Sequence, residues 1–127
     1  MLEKQQKPKF LNLFQISMPV TALVSILHRL SGLLLVLMLP VIVYAFHVSI
    51  QNKIQFEALL NYFNSTLFQI ILIAIVWIVL HHIFAGIRYL LIDIELGVSL
   101  SVAKLSAWFA NIAALIITLL FAIRLLT

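Results

Sequence analysis

The sequence contains no cysteine and very few charged residues. Only 9% of its 127 residues are Asp, Glu, Lys or Arg, while 65% are hydrophobic. The missing cysteines exclude disulfides, thiolate nucleophiles, iron–sulfur clusters and cysteine-based zinc sites, so a metal would need His, Met or carboxylate ligands. The scarcity of charge excludes an ordinary soluble domain, of which about a quarter is charged. Although the formal net charge is +4, the basic residues are scattered and form no nucleic-acid patch.

Three long, continuously apolar stretches lie at residues 30–50, 65–87 and 105–123, and none of them contains Asp, Glu, Lys or Arg. Each is close to the roughly 20 residues that a helix needs to cross the hydrocarbon of a bilayer. Helices are expected because backbone groups in lipid must be paired within the segment, and a barrel would need strands of alternating polarity. We therefore expect an all-α, three-helix membrane anchor forming a single domain over residues 1–127. Its predicted parts are an inner-face segment (1–20) and helices near 21–50, 65–92 and 103–126.

Lysine and arginine are distributed unevenly about these predicted helices. One side of the membrane would carry Lys4, Lys7, Lys9, Arg29, Arg88 and Lys104, and the other side only Lys53 and Arg124. Basic residues are enriched on the cytoplasmic side of membrane proteins. The pattern therefore predicts an N-terminus inside and a C-terminus outside.

Polar residues lie near the inner end of the first predicted helix. Ser25 and Arg29 are four residues apart and share one face. Gly32 continues that face and would let a ligand or a helix approach closely, while His28 lies on the adjacent face. A charged side chain in a membrane helix usually faces a partner or a cavity. The alternative is that Arg29 extends to lipid phosphates and that Ser25 bonds its own backbone.

A stripe at helical period follows the second predicted helix: His82, Gly86, Tyr89 and Asp93. At 1.5 Å per residue, His82 lies about 9 Å deeper in the membrane than Arg88. It is therefore expected inside the hydrocarbon. Imidazole is a common metal ligand, and Gly86 one turn later would leave room for a flat macrocycle. Haem or metal ligation by His82 is one interpretation, with His81 as the rival ligand. The other interpretation is a histidine that hydrogen-bonds across a helix interface.

Haem ligation by two histidines of one chain needs both at similar depth on facing helices. Only His28 could pair with His82 here, and it lies nearer to the inner end of its helix. We therefore expect the second axial ligand to come from another chain. Three helices are also few for enclosing a cofactor, which again favours a partner subunit.

Two sequence patterns resemble those of a known family. Residues 25–32 match S-x-x-H-R-x-S-G, and residues 82–93 match H-x-x-x-G-x-R-H-x-x-x-D except that Tyr89 replaces the second histidine. Residues 7–8 and 19–22 resemble the lead-in R-P…P-[IV]-T-A, with lysine in place of the arginine. In their order, separation and placement on the helices, these patterns resemble those of the succinate dehydrogenase cytochrome b subunit. The resemblance covers nearly the whole chain. This is the larger membrane anchor of respiratory complex II.

The resemblance implies two cofactor-binding regions. His82 would be an axial ligand of the iron of haem b, which is shared with a histidine of the small membrane anchor. Ser25 and Arg29 would line the ubiquinone site near the inner membrane surface, and His28 and Arg29 would contact the haem propionates. The role of the histidine that Tyr89 replaces is open.

The resemblance also implies a function within a complex. The chain would pass electrons from the iron–sulfur subunit to ubiquinone, beside the flavoprotein and the small anchor, with no succinate chemistry and no catalytic residue of its own. Ser25 would donate to a quinone oxygen, and Arg29 would stabilise the developing negative charge. The alternatives are the anchor of a quinol:fumarate reductase and a non-redox membrane scaffold. We expect a multi-pass protein of the bacterial inner membrane rather than the mitochondrial one.

Overall fold

A computed structural model describes residues 18–127, and these form helices without any strand. In chain order the helices are α1 (Val20–Ser49), α2 (Lys53–Phe63), α3 (Thr66–Asp93) and α4 (Leu100–Leu126). By length and composition, α1, α3 and α4 could each cross a membrane. The prediction of an all-α protein with three membrane-spanning helices is therefore confirmed. The predicted inner-face segment, with its lysines and the residue 7–8 pattern, falls largely on residues 1–17, outside the described residues.

The short helix α2 is absent from the sequence-based prediction, which treated this stretch as a loop between the first two spans. Its N-terminus is capped by Asn52, whose side-chain oxygen accepts from the backbone N–H of Gln55 at 2.9 Å. Lys53 Nζ and Glu57 Oε1 lie 3.7 Å apart and form an ion pair between successive turns on the exposed side of α2. Asparagine before a helical pattern is a recognisable start signal, so this helix could have been predicted.

Helices α3 and α4 pack through small residues. Ala85 of α3 and three alanines of α4 (Ala107, Ala110 and Ala114) are fully buried or nearly so. Val24 of α1 joins the buried cluster that contains Ala85 and Ala107. Small side chains allow close helix approach where lipid gives no hydrophobic force between helices. The large apolar residues point outward instead, as a surface covered by lipid or by partner chains requires.

Two polar links join α3 to α4. His81, which is 0% exposed, has its Nε2 at 3.1 Å from Asn111 Oδ1. Nearer the C-terminal end of α3, Arg88 donates from Nε to Ser106 Oγ at 3.0 Å and from Nη2 to the Ala103 carbonyl at 3.2 Å. Arg88 is 7% exposed, and such pairing with backbone oxygen is how membrane proteins hold a charge within a bundle. This link was not predicted from the sequence, where Arg88 served only as a topology determinant.

The connection between α3 and α4 breaks the helix at two residues of left-handed conformation. Glu95 and Gly97 both have positive φ, at 62° and 77°. The new helix begins at Leu100, after Ser99 in an extended conformation. Helix α4 thus starts earlier than the sequence suggested, because Lys104 ended the charge-free stretch without ending the helix.

The link between His81 and Asn111 gives a test of packing. Replacing Asn111 with leucine leaves both ring nitrogens of His81 buried without a partner among residues 18–127, and we expect a loss of about 1–2 kcal/mol in the free energy of unfolding. The measurement is thermal unfolding of the purified protein in detergent. Thr118→Val is the matched control, since that buried hydroxyl bonds only the Ala114 carbonyl of its own helix. Equal stability of Asn111→Leu and Thr118→Val would contradict a stabilising interhelical bond.

Candidate functional site

Two glycines face histidine rings where α1 and α3 cross. A Cβ atom built on Gly32 would lie 3.1 Å from Cε1 of His82. A Cβ built on Gly86 would lie 3.4 Å from Nε2 of His28. The close approach expected at Gly32 is therefore made by the His82 ring. At Gly86, where the sequence suggested room for a macrocycle, the His28 side chain of the same protein is the neighbour.

The rings of His28 and His82 are stacked. Their centroids are 4.4 Å apart and their planes differ by 9°. His28 lies against Gly86, one turn beyond His82 on α3, which is consistent with the expectation that His28 lies nearer to the inner end. The nitrogen lone pairs lie in the ring planes, so stacked parallel rings cannot both direct one toward an ion between them. The stacking thus does not make His28 a second ligand in this arrangement.

His82 is held by hydrogen bonds at Nδ1. Ser31 Oγ donates to the His28 carbonyl at 2.8 Å, and His82 Nδ1 lies 3.1 Å from Ser31 Oγ and 3.3 Å from that same carbonyl. The carbonyl can only accept, and the Ser31 proton is already used. We therefore assign the proton to Nδ1 of His82. Nε2 then carries the lone pair and has no hydrogen-bond partner among residues 18–127.

This arrangement fits a metal ligand. Ligating histidines usually donate their other ring N–H to an oxygen, which fixes the tautomer and the ring orientation. His82 meets that requirement with Nδ1 bonded and Nε2 available. The contact of Ser31 with His82 was not predicted from the sequence. The place of Ser31 in the S-x-x-H-R-x-S-G pattern carried the signal, but only the α1–α3 crossing shows what it contacts.

His81, the rival ligand, has a different environment. Its ring is completely buried, bonded through Nε2 to Asn111 and 5.3 Å from the Trp77 ring. Nδ1 is buried without a partner in the described part of the chain. Such a side chain has no free space for an iron or a flat macrocycle, whereas His82 is only partly buried. The packing favours His82 as the ligand.

Ser25 and Arg29 are not drawn into the helix interfaces. Arg29 is exposed and Ser25 is partly buried. Other serines, such as Ser31 and Ser49, donate to a carbonyl three residues earlier, but within the described part of the chain Ser25 makes no such bond. The alternative in which Ser25 bonds its own backbone therefore has no support here. Both side chains are available to a group outside the described residues, and their assignment to a quinone site stays a prediction.

Tyr89 completes the surroundings of His28. The two rings are 5.2 Å apart, and Cζ of Arg88 lies 5.3 Å from the Tyr89 ring centroid. The Tyr89 hydroxyl is buried and has no hydrogen-bond partner among the described residues. Of the predicted stripe, His82, Gly86 and Tyr89 all face His28, while Asp93 is exposed at the end of α3.

Comparisons with known proteins identify the family of this chain. The family model for the succinate dehydrogenase/fumarate reductase transmembrane subunit matches residues 3–121. The succinate dehydrogenase cytochrome b556 subunit of Coxiella burnetii is 31% identical over 107 residues, which cover 81% of this chain and 83% of the relative. The subunit of the same name from Rickettsia felis is 26% identical over 103 residues, covering 80% and 78%. The chain therefore belongs to the family of succinate dehydrogenase/fumarate reductase transmembrane subunits.

Proposed function

We propose that this chain is the haem b-binding and quinone-binding anchor of a succinate dehydrogenase, with His82 as an axial haem ligand. The observation that carries the proposal is the state of His82, with Nδ1 bonded to oxygen atoms of α1 and Nε2 unpaired. Membership of the family makes the chain a membrane subunit of an oxidoreductase complex. The cytochrome b556 names of the two relatives support haem b as the cofactor.

The second haem ligand is expected from the small membrane anchor. The stacked geometry of His28 and His82 supports this, since it leaves this chain only one histidine with a suitably presented nitrogen. When bound, haem b would supply a one-electron carrier beside the quinone. His28 and Arg29 would hold its propionates by hydrogen bonding and charge, which suits their position at the inner end of α1.

Ser25 and Arg29 would bind the quinone. The Ser25 hydroxyl would donate to a quinone carbonyl oxygen, and the Arg29 guanidinium would stabilise negative charge as that oxygen is reduced. Neither side chain has a hydrogen bond or ion pair with another residue of 18–127, which fits this role. Quinone binding at the inner surface would place the substrate next to the iron–sulfur subunit.

The remaining parts of the complex follow from the same proposal. The partners are the flavoprotein, the iron–sulfur subunit and the small membrane anchor, in a bacterial inner membrane. The excess of lysine and arginine at the inner ends supports an N-terminus inside. A quinol:fumarate reductase anchor would use the same residues in the opposite direction, and the family description covers both enzymes.

A non-redox scaffold is the alternative from a different class. It is favoured by one observation, since the bond from His82 to α1 is also what a purely structural histidine would make. The two functions differ in whether the purified complex absorbs as a haem protein.

The haem ligand is tested by substitution of each histidine. In the purified complex we expect His82→Ala to lose the reduced-minus-oxidised haem signal, because Nε2 is removed. His81→Gln is the matched control, since the amide can still bond Asn111, and it should keep the signal. Assembly is checked by co-purification of the partner subunits with this chain. A signal that survives in His82→Ala but vanishes in His81→Gln would assign the ligand to His81, and a wild-type complex without haem would favour the scaffold.

The quinone site is tested with Arg29→Ala. We expect quinone reduction to fall by about 100-fold, the scale for removing one donor that stabilises developing charge. Haem content should be retained, because the axial ligand His82 and the propionate contact of His28 remain, and so should dye-linked succinate oxidation. Arg29→Lys should recover part of the rate, since it restores the charge without the planar fork. Arg124→Ala, at the far end of α4, is the control. Loss of the whole assembly in Arg29→Ala would instead indicate a structural arginine.

A further inference from the structure

We infer that Ser31 is a positioning residue that holds His82 in the Nδ1-protonated form and thereby lowers the redox potential of the haem. This inference rests on the proposed ligation of haem by His82. It concerns a residue that touches neither the cofactor iron nor the quinone in the proposed function. Ser31 acts instead through the imidazole ring of His82.

The first observation is that Ser31 is itself fixed. Its side chain is 3% exposed, and Oγ donates to the His28 carbonyl one turn earlier at 2.8 Å. This bond sets the direction of the hydroxyl proton. Toward any other group, Oγ therefore presents a lone pair and can only accept a hydrogen bond. His82 Nδ1 lies 3.1 Å from that oxygen. A serine held in this way can only accept from His82.

The second observation is that Ser31 is the better of the two acceptors. The His28 carbonyl lies 3.3 Å from His82 Nδ1, beyond the usual 2.7–3.2 Å range of N–H···O bonds. The carbonyl already receives the Ser31 proton. A hydroxyl that donates to a carbonyl is polarised, and its oxygen becomes a stronger acceptor. Most of the interaction with the Nδ1 proton therefore comes from Ser31.

The third observation is the position of Gly32. Its missing side chain lets the His82 ring lie against α1, where an added Cβ would be 3.1 Å from Cε1. Ser31 and Gly32 therefore act on the same ring, the glycine by giving it space and the serine by fixing its orientation. Without the Ser31 hydroxyl, the His82 ring would still fit against Gly32, but Nδ1 would lose the shorter of its two hydrogen bonds.

The expected effect on the haem has a definite sign. Donation of Nδ1–H to an oxygen raises the electron density at Nε2 and makes the imidazole a stronger ligand. A stronger donor stabilises oxidised iron more than reduced iron, which lowers the potential. Removing the Ser31 hydroxyl should therefore raise the midpoint potential of the haem.

The experiment is a redox titration of the haem absorbance in the purified complex. We expect Ser31→Ala to shift the midpoint potential upward and to change the ferric electron paramagnetic resonance spectrum, which reports ligand orientation. Ser31→Thr keeps the hydroxyl and should remain close to wild type. Ser49→Ala is the matched control, because Ser49 makes the same local bond to the Phe46 carbonyl of α1 and contacts no haem-ligand candidate.

An unchanged potential in Ser31→Ala, with haem bound, would overturn the inference. If Ser31→Ala contains no haem, Ser31→Thr decides: haem retained near the wild-type potential supports the role of the hydroxyl, and haem lost in both variants overturns it. The proposed function fails separately, when His82→Ala retains haem. Loss of haem in His82→Ala together with an unchanged Ser31→Ala would refute the Ser31 role alone.

Discussion

The contact between the His82 ring and α1 at Gly32 sets how closely α1 and α3 can cross. A side chain at Gly32 would meet the ring, with its first carbon 3.1 Å from Cε1. Because the crossing is close, the Ser31 hydroxyl and the His28 carbonyl come within reach of Nδ1. The same approach stacks the two histidine rings. If α1 were farther away, His82 would be an imidazole in hydrocarbon without a partner, which is costly in a membrane.

Helix α3 has two polar sides, of which one bonds α4 and the other contacts α1. Adjacent residues are about 100° apart around a helix, and this angle gives His81 and His82 opposite surroundings. His81 is bonded to Asn111 of α4, and Arg88 makes a second link to the same helix. Lipid supplies no hydrophobic force between helices, so such bonds and the packed alanines must hold them together. With α3 fixed on α4 in this way, His82 is turned toward α1.

The site is incomplete within the described residues. Nε2 of His82, the Ser25 hydroxyl and the Arg29 guanidinium each have bonding capacity that no other residue of 18–127 uses. Polar groups of this kind in membrane helices mark binding sites or partner contacts. The chain's family is one of subunits of a larger complex, which supports the proposal that a cofactor, a substrate and neighbouring chains use these groups.

Much of this could be predicted from residue order alone. The charge-free stretches determined three membrane-spanning helices, because lipid leaves helices as the only way to pair the backbone. Helical spacing placed His82 on a stripe with Gly86, and the sequence patterns indicated the family. Helical spacing alone could not distinguish His82 from His81, for which the family resemblance was needed, or show what Ser31 and Arg88 bind. Periodicity relates residues on one helix, but it does not give the neighbour that each face meets or the offset between helices. Those depend on packing between distant parts of the chain, so only the tertiary structure decided them.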